Sequence, residues 1–169
     1  EITGKKIIKC FESKTERITV IPGFISSDHN NNITTLGRGG SDYSASIIAD
    51  HLNADVVEIW TDVSGMYTAN PNIVKQAIPI SRISYYEAME LSYFGAKVIC
   101  SPSIQPLMNK KIPLLIKNTF NPNDLGTKIT EKYSSNKFVV KGISYIDNVS
   151  LINIEGSGMF GVTGFAKRM

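Results

Sequence analysis

Short β-branched runs alternate with amphipathic stretches along most of the chain. Ile18-Thr19-Val20-Ile21 reads as a buried strand that stops at Pro22-Gly23. Phe24-Ile25 and Ile33-Thr34-Thr35-Leu36 bracket Asp28-His29-Asn30-Asn31-Asn32, whose turn chemistry predicts a β-hairpin. Ala45, Ile48, Ala49 and Leu52 then recur at steps of three and four, the spacing of one helical face over 43–52. Val56-Val57-Glu58-Ile59-Trp60 follows as a strand. Ser84-x-x-Glu87 is a capping box, and Tyr85, Ala88 and Leu91 behind it share a face of a helix ending near Gly95. A short helix through Lys110 is predicted if Pro106 lies in its first turn. Leu114-Leu115-Ile116 reads as another buried strand, and residues 121–126 as a loop. The first 17 residues yield only a candidate strand at Ile7-Ile8. Strand, glycine-rich loop, helix, strand is the rhythm of an α/β domain with a largely parallel sheet.

The pattern changes after residue 130. Residues 131–137 are polar and aperiodic, so a linker is predicted there. Residues 138–142 and 149–154 read as strands. Gly156, Gly158, Gly161 and Gly164 punctuate a loop, and residues 165–169 begin a helix. Two units are therefore expected, 1–132 and 138–169. The opening Glu1 and a helix stopped after about one turn give both ends the look of cuts within a longer chain.

Composition narrows the classes. With 169 residues, 42% hydrophobic and 20% charged, the chain can bury one respectable core. Net charge is +3, but Lys5, Lys6, Lys9 and Lys14 are interleaved with Glu12 and Glu16, which disfavours a nucleic-acid stripe. Cys10 and Cys100 form neither a metal knuckle nor a disulfide framework, so reduced thiols in a cytoplasm are expected. No apolar run reaches membrane-spanning length and no signal-peptide pattern opens the chain. His29 and His51 are isolated, and no metal-ligand spacing occurs.

The candidate chemistry centres on Leu36-Gly37-Arg38-Gly39-Gly40-Ser41-Asp42. Its glycines permit a tight turn and a close ligand approach. The amides of Gly40, Ser41 and Asp42 fall at a helix N-terminus, which attracts anions. Arg38 offers a fork for a carboxylate or phosphate, and Asp42 offers the opposite charge, so the loop can hold a zwitterion. An ordinary strand-to-helix turn capped by Ser41 or Asp42 is the plainer alternative. A Walker loop is excluded because no lysine follows the glycines, and a dinucleotide loop because Asp42 stands where its third glycine belongs. Thr61-Asp62-Val63-Ser64-Gly65-Met66-Tyr67 sits just beyond a strand, where α/β sheets bind ligands. Asp62 can accept from ribose hydroxyls and Tyr67 can lie against a base; a polar turn with Tyr67 on the core fits equally. Lys97 can meet a nucleotide or answer a helix C-terminal dipole.

Three stretches together resemble the aspartokinases: 36–45, 59–67, and Glu87-Ala88-Met89-Glu90-Leu91-Ser92-Tyr93-Phe94-Gly95-Ala96-Lys97-Val98. The resemblance spans residues 18–169 with its motifs in order. Residues 88–98, Ile116-Lys117-Asn118-Thr119 and Val140-Lys141-Gly142-Ile143-Ser144 resemble most the branch fused to a homoserine dehydrogenase. It implies a partial amino-acid-kinase αβα sandwich, followed by the start of an ACT-type α+β regulatory domain. It further implies transfer of the γ-phosphoryl of ATP, with Mg²⁺, to the β-carboxylate of L-aspartate. Arg38 is implied on the substrate α-carboxylate, with Gly39, Gly40 and Ser41 lining the pocket. Asp42, the candidate catalytic residue, lies near the ammonium. Thr61, Asp62 and Tyr67 are implied on ribose and adenine, with Lys97 and Val98 on the nucleotide's other side. A threonine or lysine effector and a homo-oligomeric parent follow from the same resemblance; a nucleic-acid or membrane partner does not.

The chain departs from that family in three places. Asn70-Pro71-Asn72 replaces Asp-Pro-Arg, which implies a lost basic contact to the nucleotide phosphates. Ile99-Cys100-Ser101 replaces Leu-His-Pro. The family's first strand and its Lys-Phe-Gly-Gly-Thr-Ser loop have no counterpart, so the chain as it stands is expected not to transfer phosphoryl groups. Another amino-acid-kinase relative, or a non-catalytic nucleotide- or effector-binding module, are the competing readings.

Overall fold

Alternation along two strands locates the core. In β5 (Leu114–Asn118), Leu114, Ile116 and Asn118 are buried, with Leu115 and Lys117 between them only partly so. In β6 (Thr127–Thr130), Thr127 and Ile129 are buried and Lys128 is exposed. A period of two with one fully buried face marks a sheet covered by helices on that side. The structure is a computed structural model that describes residues 2–93, 98–132 and 140–150.

With β3 (Val57–Thr61) and β4 (Arg82–Ser84), these strands form a four-stranded sheet in the order β3-β5-β6-β4. β3 runs parallel to β5, with Val57 opposite Leu114 and Thr61 opposite Asn118. β4 runs parallel to β6. The middle pair, β5 and β6, is antiparallel. A largely parallel sheet was expected, and two of these three pairings are parallel.

Helices α2 (Gly40–Leu52), α3 (Tyr85–Tyr93) and α4 (Ser101–Lys110) cover the sheet; α2 and α3 each pack on α4, α2 reaches β3, and α3 reaches β4 and β6. Ile83, Ala88, Ile104, Leu107, Leu114, Ile116 and Ile129 are completely enclosed between these layers. Fully burying each large aliphatic side chain contributes about 1.5–3 kcal/mol. Tyr85 enters this apolar layer because its hydroxyl donates to the Ile112 carbonyl at 2.6 Å. Burial, with a smaller push from the Glu131 charge, raises its phenol pKa to about 12. The capping box forms at the start of α3: the Glu87 carboxylate accepts from the Ser84 amide and hydroxyl at 2.9 and 2.6 Å.

Several expectations are corrected. Ile7 and Ile8 belong to a helix, α1 (Ile2–Glu12), which packs on α2. Gly4, Ile7, Ile8 and Phe11 recur at steps of three and four, a helical signal that a two-residue β-branched pair obscures. Residues 18–21 form no strand and are not buried: Ile18 is 82% and Val20 91% exposed, and no described strand pairs with them. Pro106 stands in the middle of α4 rather than its first turn, where Pro102 stands instead. The helix bond that Pro106 forgoes is to Pro102, at the helix start, so the defect falls where the ladder is just beginning. β4 and β6 were not foreseen, being three and four residues long. Val140–Gly142, expected in a strand, and Val149–Ser150, expected to open another, carry no regular structure. The remainder of the predicted second unit, 151–169, and most of the 131–137 linker lie outside the described residues.

Candidate two-cavity site

The glycine loop is held from both sides. Before it, β1 (Ile25–Ser27) and β2 (Ile33–Thr35) form the predicted antiparallel hairpin, with Ile25 opposite Thr35. Its turn is built on Asp28, whose carboxylate accepts from the Asn30 and Asn32 amides at 2.8 and 2.9 Å. Together with the Asn32 side-chain bond, the largest cause, these contacts lower the Asp28 pKa. The Phe24 amide donates to Ser44 Oγ at 3.1 Å, and that hydroxyl donates to the Gly40 carbonyl at 2.8 Å. The hairpin is thereby tied to the first turn of α2.

Gly39 is the N-cap of α2, in the left-handed region at φ 71°, and no side chain caps the helix. Ser41 and Asp42 lie inside the first turn, so neither serves as the cap. The Gly40 amide is taken by the Gly37 carbonyl at 3.0 Å, and the amides of Ser41 and Asp42 remain at the positive end of α2. A Cβ on Gly39 would stand 2.3 Å from Cys100 Cβ, so only glycine lets the loop lie against the start of α4. The Cys100 thiol also meets the Arg38 carbonyl, at 3.6 Å.

Arg38, Gly39 and Asp42 line one cavity of about 450 Å³, shared with Ser92, Ile99 and Cys100 among others. No carboxylate among the described residues pairs with the Arg38 guanidinium. Burial pushes the half-buried Asp42 carboxyl up from its ordinary range, opposed by a hydrogen bond from Ser41. A ligand ammonium beside it would reverse that push. Gly40 packs beneath the loop against Phe24 and Leu36, and Ser41 is exposed; neither lines the cavity.

A second cavity, about 480 Å³, opens beyond the end of β3. Thr61, Asp62, Tyr67 and Val98 line it, so four of the five candidate nucleotide residues converge. The fifth, Lys97, lies outside the described residues. The Thr61 hydroxyl donates to the Asp62 carboxylate at 3.1 Å. Beneath them Thr127 Oγ accepts from the Met66 amide at 2.8 Å and donates to the Ile80 carbonyl at 2.6 Å. This hydroxyl, together with Asn118 Nδ2 of β5 donating to Ser64 Oγ at 2.9 Å, ties the 61–67 loop to the sheet. Asn70 and Asn72 also line the cavity, as do residues 143–147. The latter were missed, because the stretch Val140–Ser144 had been assigned to the regulatory unit. Val98 and Ile146 line both cavities, so the two volumes meet there.

Two adjoining cavities, one at the glycine loop and one beyond a strand end, thus lie on this α/β sheet. Residues 1–118 match the amino acid kinase family, and the chain belongs to that family. It is 46% identical over 154 residues to the bifunctional aspartokinase/homoserine dehydrogenase of Haemophilus influenzae, a match covering 91% of this chain and 19% of that protein. Among solved structures, the aspartate kinase of Clostridium acetobutylicum superposes with a TM-score of 0.75 at 43% identity, covering 84% of this chain and 33% of that one. E. coli aspartokinase III in complex with aspartate and ADP gives a TM-score of 0.64 at 42% identity, covering 66% and 25%. The chain thus spans less than a fifth of its bifunctional relative from H. influenzae.

Proposed function

We propose that this chain forms the aspartate pocket and nucleotide cleft of an aspartokinase, which converts ATP and L-aspartate to ADP and 4-phospho-L-aspartate. The observation that carries this reading is the meeting of the two cavities at Val98 and Ile146, with Arg38 and Asp42 in one and Thr61, Asp62 and Tyr67 in the other. Similarity to a kinase complexed with aspartate and ADP supports it.

In this reaction a β-carboxylate oxygen of aspartate bonds to the γ-phosphorus, the bond to the β,γ-bridging oxygen breaks, and ADP leaves with the electron pair. A carboxylate is already ionised at neutral pH, so no general base is needed. Asp42 accordingly acts on the substrate ammonium, and Arg38 on its α-carboxylate. Positioning and charge stabilisation supply most of the catalysis in phosphoryl transfer. No lysine among the described residues lines either cavity, which leaves the cation for the transferring phosphate to Lys97 or to other parts of the intact protein. Among the described residues no three His, Cys, Asp or Glu side chains converge on a metal position. Mg²⁺ therefore fits as an ion carried in on the ATP phosphates, where it would neutralise their charge. The parent is a cytoplasmic homo-oligomer that continues through an ACT-type unit, sensing threonine or lysine, into a homoserine dehydrogenase.

The intact protein, given ATP, Mg²⁺, aspartate and hydroxylamine, should accumulate aspartyl hydroxamate; none would refute the reading. Within it, Asp62→Ala should raise the ATP KM about tenfold, the worth of one charge-assisted hydrogen bond, with the aspartate KM unchanged. Equal ATP affinity for both proteins by calorimetry would remove Asp62 from the ribose. Asn72 tests the opposite direction. It lines the nucleotide cavity on the exposed loop where the aspartokinases carry arginine. Asn72→Arg should lower the ATP KM by up to about fivefold, a surface ion pair being worth up to about 1 kcal/mol, and raised salt should erase the gain.

A further inference from the structure

Once the sheet is complete, the chain returns to the nucleotide cavity and fastens beside the stretch that carries Tyr67. That stretch is itself held: Tyr67 bridges Pro79, the Ile80 amide donates to the Met66 carbonyl at 2.7 Å, and the Thr68 amide donates to the Ile78 carbonyl at 2.9 Å. The Thr68 carbonyl then accepts from the Ile143 amide at 2.8 Å. Two further contacts seat the returning segment. Lys141 Nζ pairs with Glu87 Oε1 at 2.6 Å, and Gly142 lies on Leu91, whose methyls a Cβ would meet at 3.1 and 3.2 Å. Two residues beyond Ile143, Tyr145 lines the same cavity as Thr61, Asp62 and Tyr67. Tyr145 is 52% exposed, so much of its side chain is left for a ligand to cover.

We propose that Tyr145 is a base-binding residue of the nucleotide site, a second aromatic surface beside Tyr67 on which the adenine of ATP stacks. The inference rests on the aspartokinase reading and adds to it a contact outside the 1–118 family match. The cavity is wet: Asp62, Asn70 and Asn72 line it and are exposed. A base held there needs a contact that does not depend on dryness. Stacking is such a contact, because it covers the apolar faces of base and ring while the polar edges of both stay hydrated. Ile143 and Ile146 line the same cavity, but a branched aliphatic side chain covers less of a planar base than a ring does. The base takes no part in phosphoryl transfer, so the contact is made equally before and during the reaction. Its loss should therefore fall on KM rather than on kcat. ATP and ADP carry the same base and should lose affinity alike.

The test uses the intact protein, with ADP binding measured by calorimetry beside the hydroxamate assay. Tyr145→Ala should raise the ATP KM and the ADP Kd about tenfold, with the aspartate KM and kcat nearly unchanged. Tyr145→Phe should keep the wild-type values, because the ring and not the hydroxyl makes the contact. Tyr145→Trp should bind ADP as the wild type does, and the emission of its added indole, measured against the wild type, should be quenched as ADP saturates the site. A rise in both KM values, or a loss in Tyr145→Phe equal to that in Tyr145→Ala, would mark a role other than stacking and overturn the base contact. An unchanged ATP KM in Tyr145→Ala, with the wild type making hydroxamate, overturns it too and leaves the aspartokinase reading intact. A wild type that makes no hydroxamate overturns that reading, and this inference with it.

Discussion

Replacing Arg38 by alanine in the intact protein should raise the aspartate KM by about one to two decades and leave the ATP KM nearly unchanged. Arg38 stands on the loop between β2 and α2, lines the first cavity, and has no carboxylate partner among the described residues. A charge-assisted pair to a carboxylate contributes about 1.5–3 kcal/mol, which sets the size of the effect. The contact is to a group that does not react, so it is made equally before and during transfer, and its loss should fall on KM more than on kcat. Arg38→Lys should be intermediate, because an ammonium cannot reproduce the planar fork. Steady-state kinetics with varied aspartate decides; an unchanged KM and kcat would take Arg38 out of the site.

A methyl group on Gly39 should cost still more. Gly37 and Gly39 share nearly the same left-handed backbone, φ 73° and 71°. Nothing lies within 4 Å of a Cβ built on Gly37, whereas one on Gly39 falls 2.3 Å from Cys100 Cβ. Gly37→Ala therefore carries only the backbone penalty, about 1–2 kcal/mol. Gly39→Ala carries the same penalty plus a collision that must drive the loop away from α4, moving Arg38 and Asp42 apart from Cys100 and Ile99. Misplacement of about 1 Å in a reactive geometry can cost on the order of a hundredfold. Activity with aspartate should thus fall by about two decades or more in Gly39→Ala and survive largely in Gly37→Ala, with ATP binding retained in both. Equal losses in the two variants would show that the contact with Cys100 carries no function.

These comparisons also show which features the chain declares locally. The hairpin, α2, β3, the capping box and β5 each rest on signals within one short window, and all were legible. So was the placing of Arg38 and Asp42 on one cavity, because both stand on the same glycine loop within five residues of each other. Ile18 and Val20 failed because a β-branched run predicts a strand only where another backbone is present to pair with it. β4 and β6 failed for the converse reason. Arg82-Ile83-Ser84 and Thr127-Lys128-Ile129-Thr130 are too brief to show a period, and their strand character comes from pairing with each other and, for β6, with β5. The contribution of residues 143–147 to the nucleotide cavity was beyond any local pattern. It depends on Lys141 finding Glu87 and on Ile143 finding Thr68, contacts between segments far apart in sequence.

The strand order has a consequence for how the chain is made. β3 pairs only with β5, and β4 only with β6, among the described strands. When a ribosome has delivered both β3 and β4, neither yet has a neighbour. The central pair closes through a short loop, residues 119–126, and can form as soon as β6 emerges. β3 and β4 then add to either side of it, each closing a much longer loop at greater entropic cost. The sheet should therefore assemble outward from its last-made strands. Until β6 is free of the exit tunnel, the sheet formed by the described strands is incomplete, and the apolar faces of α3 and α4 are left partly uncovered to chaperones and neighbouring nascent chains.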